Sequence, residues 1–137
     1  MTESVAKPRL TREQEILLLH TGTVEQVLAV IAGAPVEVKV LKQRGRDVIE
    51  REAVLVARGR VLVRARSKIY CKNLPPGIVR QVRQERKGIG AIIASARLET
   101  FRKVVKVGWN HDGTPYRIYR IMHAGKVGFE IREDLLV

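Results

Sequence analysis

The chain has 137 residues, 45% of them hydrophobic, and carries 26 Lys and Arg against 14 Asp and Glu, for a net charge of +12. That length suits one domain with a real core, residues 1–137, and no apolar run approaches the roughly 20 residues of a membrane span. The N-terminal stretch lacks the apolar segment of a secretion signal and a lone Cys71 excludes an internal disulfide, so a cytoplasmic protein is expected.

Thr11 is placed to cap a helix running through Glu13, Ile16 and Leu17 to about Leu19, with acidic residues in its first turn as the macrodipole favours. His20-Thr21-Gly22 stops it. A second helix is expected from Thr23, where Thr23 and Gln26 have capping-box spacing and Val24, Val27, Leu28 and Ile31 recur along one side, to Gly33-Ala34-Pro35. Val36, Val38 and Val40 then alternate with Glu37, Lys39 and Leu41 as a strand, a turn follows at Arg44-Gly45-Arg46, and Val48 to Tyr70 reads as a hairpin about Arg58-Gly59. Asn73-Leu74-Pro75-Pro76-Gly77 breaks the chain before a helix reaching about Glu85, and another short helix is expected after Gly88. Phe101 to Trp109, Tyr116 to Met122 and a last strand after Ala124-Gly125-Lys126 complete the pattern. Two helices, three strands, one or two helices and three strands predict an α+β fold, a single antiparallel sheet of about six strands with helices packed against it.

Counting outward from a two-residue turn at Arg58-Gly59 pairs Ala57 with Arg60, Leu55 with Leu62, Ala53 with Arg64 and Arg51 with Arg66. Arg51 and Arg66 then face each other, and two facing cations repel unless an anion sits between them. A bulge at Gly59 would shift this pairing by one. Two guanidiniums on adjacent strands suit a ligand with one or two carboxylates, against the plainer reading of a solvated basic face. Gly88-Ile89-Gly90 and Thr21-Gly22-Thr23 each offer backbone amides where a loop meets a helix. Glu133 is an acid at the end of the final strand, where a surface or ion-pair role is the commoner one. His20, His111 and His123 lack metal-ligand spacing, and Cys71 has no Cys or His neighbour and reads as a small core residue, so no metal site is expected. No nucleophile elbow, phosphate loop or dinucleotide fingerprint is present. Residues 1–50 hold seven basic and seven acidic side chains, so the whole excess of charge lies from Arg51 onward. Such charge raises nucleic acid as a partner, but the 4% of aromatic residues make no base-stacking pattern, which disfavours it.

Taken together, these segments resemble the chorismate pyruvate-lyase family, in order from about Leu17 to the C-terminus. Leu17-Leu18-Leu19 before the Thr23 helix is similar to the family's Leu-rich segment entering a helix whose first amide contacts ligand. Arg51-Glu52-Ala53-Val54-Leu55 resembles its Arg-Glu-apolar strand, Ala65-Arg66-Ser67 its small-Arg-Ser/Thr return strand, Lys87-Gly88-Ile89-Gly90 its apolar-glycine segment, and Glu133 its C-terminal strand glutamate. The chain departs in a compact Gln43–Asp47 turn where the bacterial ubiquinone-pathway enzymes have a long insertion. Its C-terminal hairpin aligns with a one-residue slip that makes Glu130 a competitor of Glu133.

The resemblance implies a chorismate lyase-like domain that eliminates pyruvate from chorismate to give 4-hydroxybenzoate, with no metal, flavin or nicotinamide cofactor. By the same resemblance Arg51, Arg66 and Glu133 are the catalytic residues, and Thr23, Arg51, Ile89, Gly90 and Glu133 bind substrate. Arg51 would hold the carboxylate retained in the product, Arg66 the departing pyruvoyl group, and Glu133 the ring oxygen that becomes the phenol. The same fold serves effector-binding domains of transcription regulators, so a non-catalytic module for aromatic acids is the alternative reading. Monomer and homodimer are both compatible with the sequence.

Overall fold

The computed structural model describes residues 9–19 and 24–137. The expected helix boundary at His20 to Thr23 therefore lies outside the described residues. Helix α1, Arg12–Leu19, opens as Thr11 predicts: the Thr11 hydroxyl accepts the Gln14 N–H at 3.1 Å and Gln14 Oε1 accepts the Thr11 N–H at 3.0 Å, a reciprocal capping box. Helix α2, Val24–Ala32, closes on Gly33 at φ 62°, with Gly33 N–H bonded to Val30 and Ala34 N–H to Ala29, the two bonds of a Schellman cap.

Strands β1 (Glu37–Arg44), β2 (Val48–Ala57) and β3 (Arg60–Tyr70) form one antiparallel meander, and β4 (Phe101–Trp109), β5 (Pro115–His123) and β6 (Lys126–Leu135) form another. A 3₁₀ turn at Cys71–Asn73 and helices α3 (Pro76–Arg83) and α4 (Ile89–Ala96) connect them. The meanders join through antiparallel β3 and β6, giving one six-stranded sheet of order β1-β2-β3-β6-β5-β4. This is the expected α+β architecture. Pro76 stands at the start of α3, where its missing N–H costs nothing, and the chain leaves that helix through Glu85 at positive φ, earlier than the sequence suggests.

One expectation fails at the hairpin. Arg58 and Gly59 both take positive φ, as a two-residue turn of this kind requires, and Ala57 pairs with Arg60 as counted. Val56 then pairs with Val61 but Leu55 with Val63, so Leu62 is an extra residue in β3. From there Glu52 faces Arg66 and Arg51 faces Ser67. Arg51 and Arg66 are not opposite each other, and the shift arises at Leu62, not at Gly59. Alternation then sends Ala65 and Ser67 to the helix-covered side and Arg64 and Arg66 to solvent.

The helices cover one face of the sheet in two groups. Leu17, Leu18, Val24 and Leu28 pack with Leu55, Leu62, Val63 and Leu135, while Ile78, Val82, Ile89 and Ile92 pack with Ile49, Ile69, Ile121 and Phe129. Each fully buried Leu or Ile contributes on the order of 1.5–3 kcal/mol.

Candidate functional site

At the seam between the two apolar groups lies a small cavity of about 50 Å³, walled by Val24, Ala53, Leu55, Ala65, Ile89 and Ile131 together with several charged side chains. At that size it holds one or two waters, whereas pockets for drug-sized ligands begin near 300 Å³. A ligand of that size therefore requires the cavity lining to move apart.

Arg51 stands at one end of the cavity, 3% exposed. Its Nε donates to Gln43 Oε1 at 2.7 Å, Nη1 to the Lys87 carbonyl at 2.8 Å and Nη2 to the Val82 carbonyl at 2.9 Å. Gln43 is itself held by donating to the same Val82 carbonyl at 2.9 Å. Val82 lies in the last turn of α3, so the guanidinium sits at the negative end of a helix dipole. All three hydrogen-bond acceptors are neutral, and a guanidinium has five N–H groups, so two donors remain for an anionic ligand. Burial pulls the Arg51 pKa down and Glu85 opposes it, while arginine stays cationic at neutral pH.

The other end is built on β5 and β6. Glu133, 2% exposed, accepts from Arg117 Nε at 2.7 Å through Oε1 and from the Tyr119 hydroxyl at 3.2 Å through Oε2. Arg117 lies directly opposite Glu133 in the sheet, and its guanidinium packs 4.4 Å from the Tyr119 ring centre. Burial and then the Glu133 charge push the Tyr119 phenol far above its ordinary range, so it remains a donor at every working pH. A carboxylate offers about four acceptor positions, which leaves Glu133 able to take a further hydrogen bond from a ligand hydroxyl.

Glu25 and Arg102 also line the cavity, where α2, the α3–α4 loop and β4 meet. Burial raises the Glu25 pKa, and Arg102 partly offsets that. Gly88 permits the close approach of Glu25: a Cβ there would lie 2.5 Å from Glu25 Oε1 and 3.0 Å from Val38 Cγ2.

Of the residues singled out in the sequence, Arg51, Ile89, Gly90 and Glu133 come together around this cavity. Thr23 lies outside the described residues; its neighbour Val24 is in the wall. Arg66 is elsewhere. It projects from the opposite, open face of the sheet, its side chain 57% exposed, with Nη2 3.7 Å from Asp134 Oδ2. Glu130 is also on that face, paired with Arg120 at 3.0 Å, which decides between the two acids as cavity residues in favour of Glu133. The open face holds a larger groove of about 350 Å³, but its charges are solvated and interleaved, as in the Arg44–Glu50 pair. Sequence reasoning missed Glu25, Ser67, Arg102, Arg117 and Tyr119. The alternation Arg117, Tyr119, Ile121 was a usable signal, since it gives one side of a strand a cation and a phenol beside Glu133. Among the described residues no group of three His, Cys, Asp or Glu side chains could hold a metal, and no helix is long and apolar enough to cross a membrane.

No protein-family profile matches the chain. It is 25% identical, over 93% of its length and 81% of the relative's, to the chorismate pyruvate-lyase of Mycobacterium tuberculosis strain H37Rv. The likeness in sequence is thus to chorismate pyruvate-lyases, the family whose motifs the chain resembles. In structure it is similar to the effector domain of PhnF from Mycobacterium smegmatis, with a TM-score of 0.57 at 13% identity, covering 85% of this chain and 90% of that domain. It also resembles the possible transcriptional regulator YydK from Bacillus subtilis, with a TM-score of 0.54 at 14% identity over 77% of this chain, which spans 59% of that regulator. At such identities the structural likeness speaks for the fold, which is chorismate lyase-like.

Proposed function

We propose that the cavity between the two apolar groups binds chorismate and that the protein is a chorismate pyruvate-lyase yielding 4-hydroxybenzoate. The observation that carries this reading is Arg51: a buried guanidinium held by three neutral acceptors, with donors left for a carboxylate, across an apolar slot from an acceptor group at Glu133. A planar ring with a carboxylate at one end and a hydroxyl at the other satisfies both ends. In the reaction the ether bond to the enolpyruvyl group breaks with its electron pair going to oxygen. The ring carbon bearing the hydroxyl loses its proton as the ring becomes aromatic, and the released enol takes a proton on carbon to become pyruvate. Orientation by Arg51 and Glu133 and the exclusion of water are the protein's contributions, with Glu133 also within reach of proton transfer at the hydroxyl end.

Incubation of the purified protein with chorismate should release 4-hydroxybenzoate and pyruvate in equal amounts. Product no faster than the spontaneous background would remove the lyase reading. A second reading is supported by the likeness to the PhnF effector domain: a module that binds an aromatic acid without turning it over. Under it, 4-hydroxybenzoate raises the melting temperature while chorismate is left intact.

A further inference from the structure

The displacement of Arg66 to the open face leaves the proposed lyase without the second arginine that a ligand with two carboxylates calls for. The cavity contains another candidate. Arg102 pairs with Ile121 across β4 and β5, and since Ile121 is a fully buried wall residue, Arg102 is directed to the same, covered side of the sheet. Its guanidinium lies 5.8 Å from the centre of the Tyr119 ring, on the aromatic that also holds Glu133.

β2 and β4 are separated by four strand spacings in the sheet, about 19 Å at the strand axes. Two arginine side chains reaching inward from them reduce this to the span of a small molecule. Arg51 is buried on an inner strand, whereas Arg102 is half-buried on the edge strand β4. The Glu25 carboxylate lines the same cavity, close against Gly88 and near enough to Arg102 to feel its charge. An anion entering there meets an attractive guanidinium and a repulsive carboxylate.

We propose that Arg102 recognises a second carboxylate of the ligand, and that Glu25 opposes anion entry at the same point. The inference rests on the cavity being the ligand site. It assigns the ligand class as a dicarboxylate with one acid held firmly at Arg51 and the other engaged at Arg102. Arg102 thereby separates such ligands from the monocarboxylates that fill the inner part of the cavity alone.

The KM for chorismate, or its Kd where no turnover occurs, and the Kd for 4-hydroxybenzoate, measured on the full chain for the wild type, Arg102→Gln, Arg102→Lys, Glu25→Gln and Arg51→Gln, test this. Arg102→Gln should weaken chorismate at least tenfold and leave 4-hydroxybenzoate within about twofold, and Arg102→Lys should recover part of the loss. Glu25→Gln should tighten chorismate more than 4-hydroxybenzoate. Arg51→Gln should weaken both. Equal weakening of the two ligands by Arg102→Gln, or no change in either, overturns the assignment of Arg102, and a Glu25→Gln variant that weakens chorismate overturns that of Glu25. Failure of the wild type to bind either ligand would instead remove the underlying site reading.

Discussion

Arg117 and Glu133 face each other across β5 and β6 with Nε 2.7 Å from Oε1, and each side chain is at most 2% exposed. Such a pair costs dehydration on both sides, and removing one partner leaves the other charge stranded. Arg117→Met should therefore lose about 3–5 kcal/mol in urea denaturation, and adding Glu133→Leu should restore most of it. A double variant no more stable than the single one would show that the two residues do not act as a unit. Ligand binding should be absent in both, because Glu133 loses its fixed orientation or its carboxylate.

The sequence made Arg51 a charge in search of an anion. The structure assigns it a second task, tying β2 to the Val82 and Lys87 carbonyls and so to the loop that leads into Ile89. Arg51→Ala should lose 4-hydroxybenzoate binding and also cost about 1–3 kcal/mol, since those buried carbonyls lose their donors. Amide exchange in the α3–α4 loop, measured by mass spectrometry, should rise with it.

Glu25 makes stability depend on pH in a direction opposite to a salt-bridged acid. Its folded pKa is raised by burial, so between the ordinary glutamate value, near 4.3, and the folded value the native state binds more protons than the unfolded chain. Its contribution is fully present below that ordinary value and is lost as pH rises through the folded pKa. Glu25→Gln should accordingly melt higher than the wild type at pH 7, and the difference should shrink toward zero as pH falls to about 4. A difference independent of pH would place its cause in packing.

Arg97 ends α4 in the left-handed region, φ 51°, with Arg97 N–H bonded to Ala94 and Leu98 N–H to Ile93. That conformation costs a non-glycine residue about 1–2 kcal/mol, of which glycine's greater entropy in the unfolded chain takes back part. Arg97→Gly should raise stability by roughly 0.5 kcal/mol in thermal melts, with ligand affinity unchanged.

Elements were legible where local chemistry decides them. Thr11 with Gln14, Gly33, Pro75-Pro76 and Arg58-Gly59 each mark a boundary through a cap, a φ restriction or a turn, and each stands where the sequence puts it. The cavity residues Arg51, Ile89, Gly90 and Glu133 came from ordered likeness to a family, and the fold draws them together. What escaped was non-local. Whether Arg66 or Arg102 turns toward the helices depends on a bulge and on which strand borders which, and neither is written in the spacing of nearby residues. Glu25 drew no reading from the sequence, because nothing local announces that Gly88, far along the chain, makes room for it.

A strand has two sides, so a single extra residue works as a parity bit for everything beyond it. Leu62 does not line the cavity, yet its presence decides that Ser67 and not Arg66 lies across from Arg51. Losing one residue there would bring a second cation inside and carry Ser67 out, changing which anions the interior accepts while every cavity side chain kept its identity. Ligand preference in this fold can thus be rewritten by length as well as by substitution, at a place that no inspection of contact residues would flag.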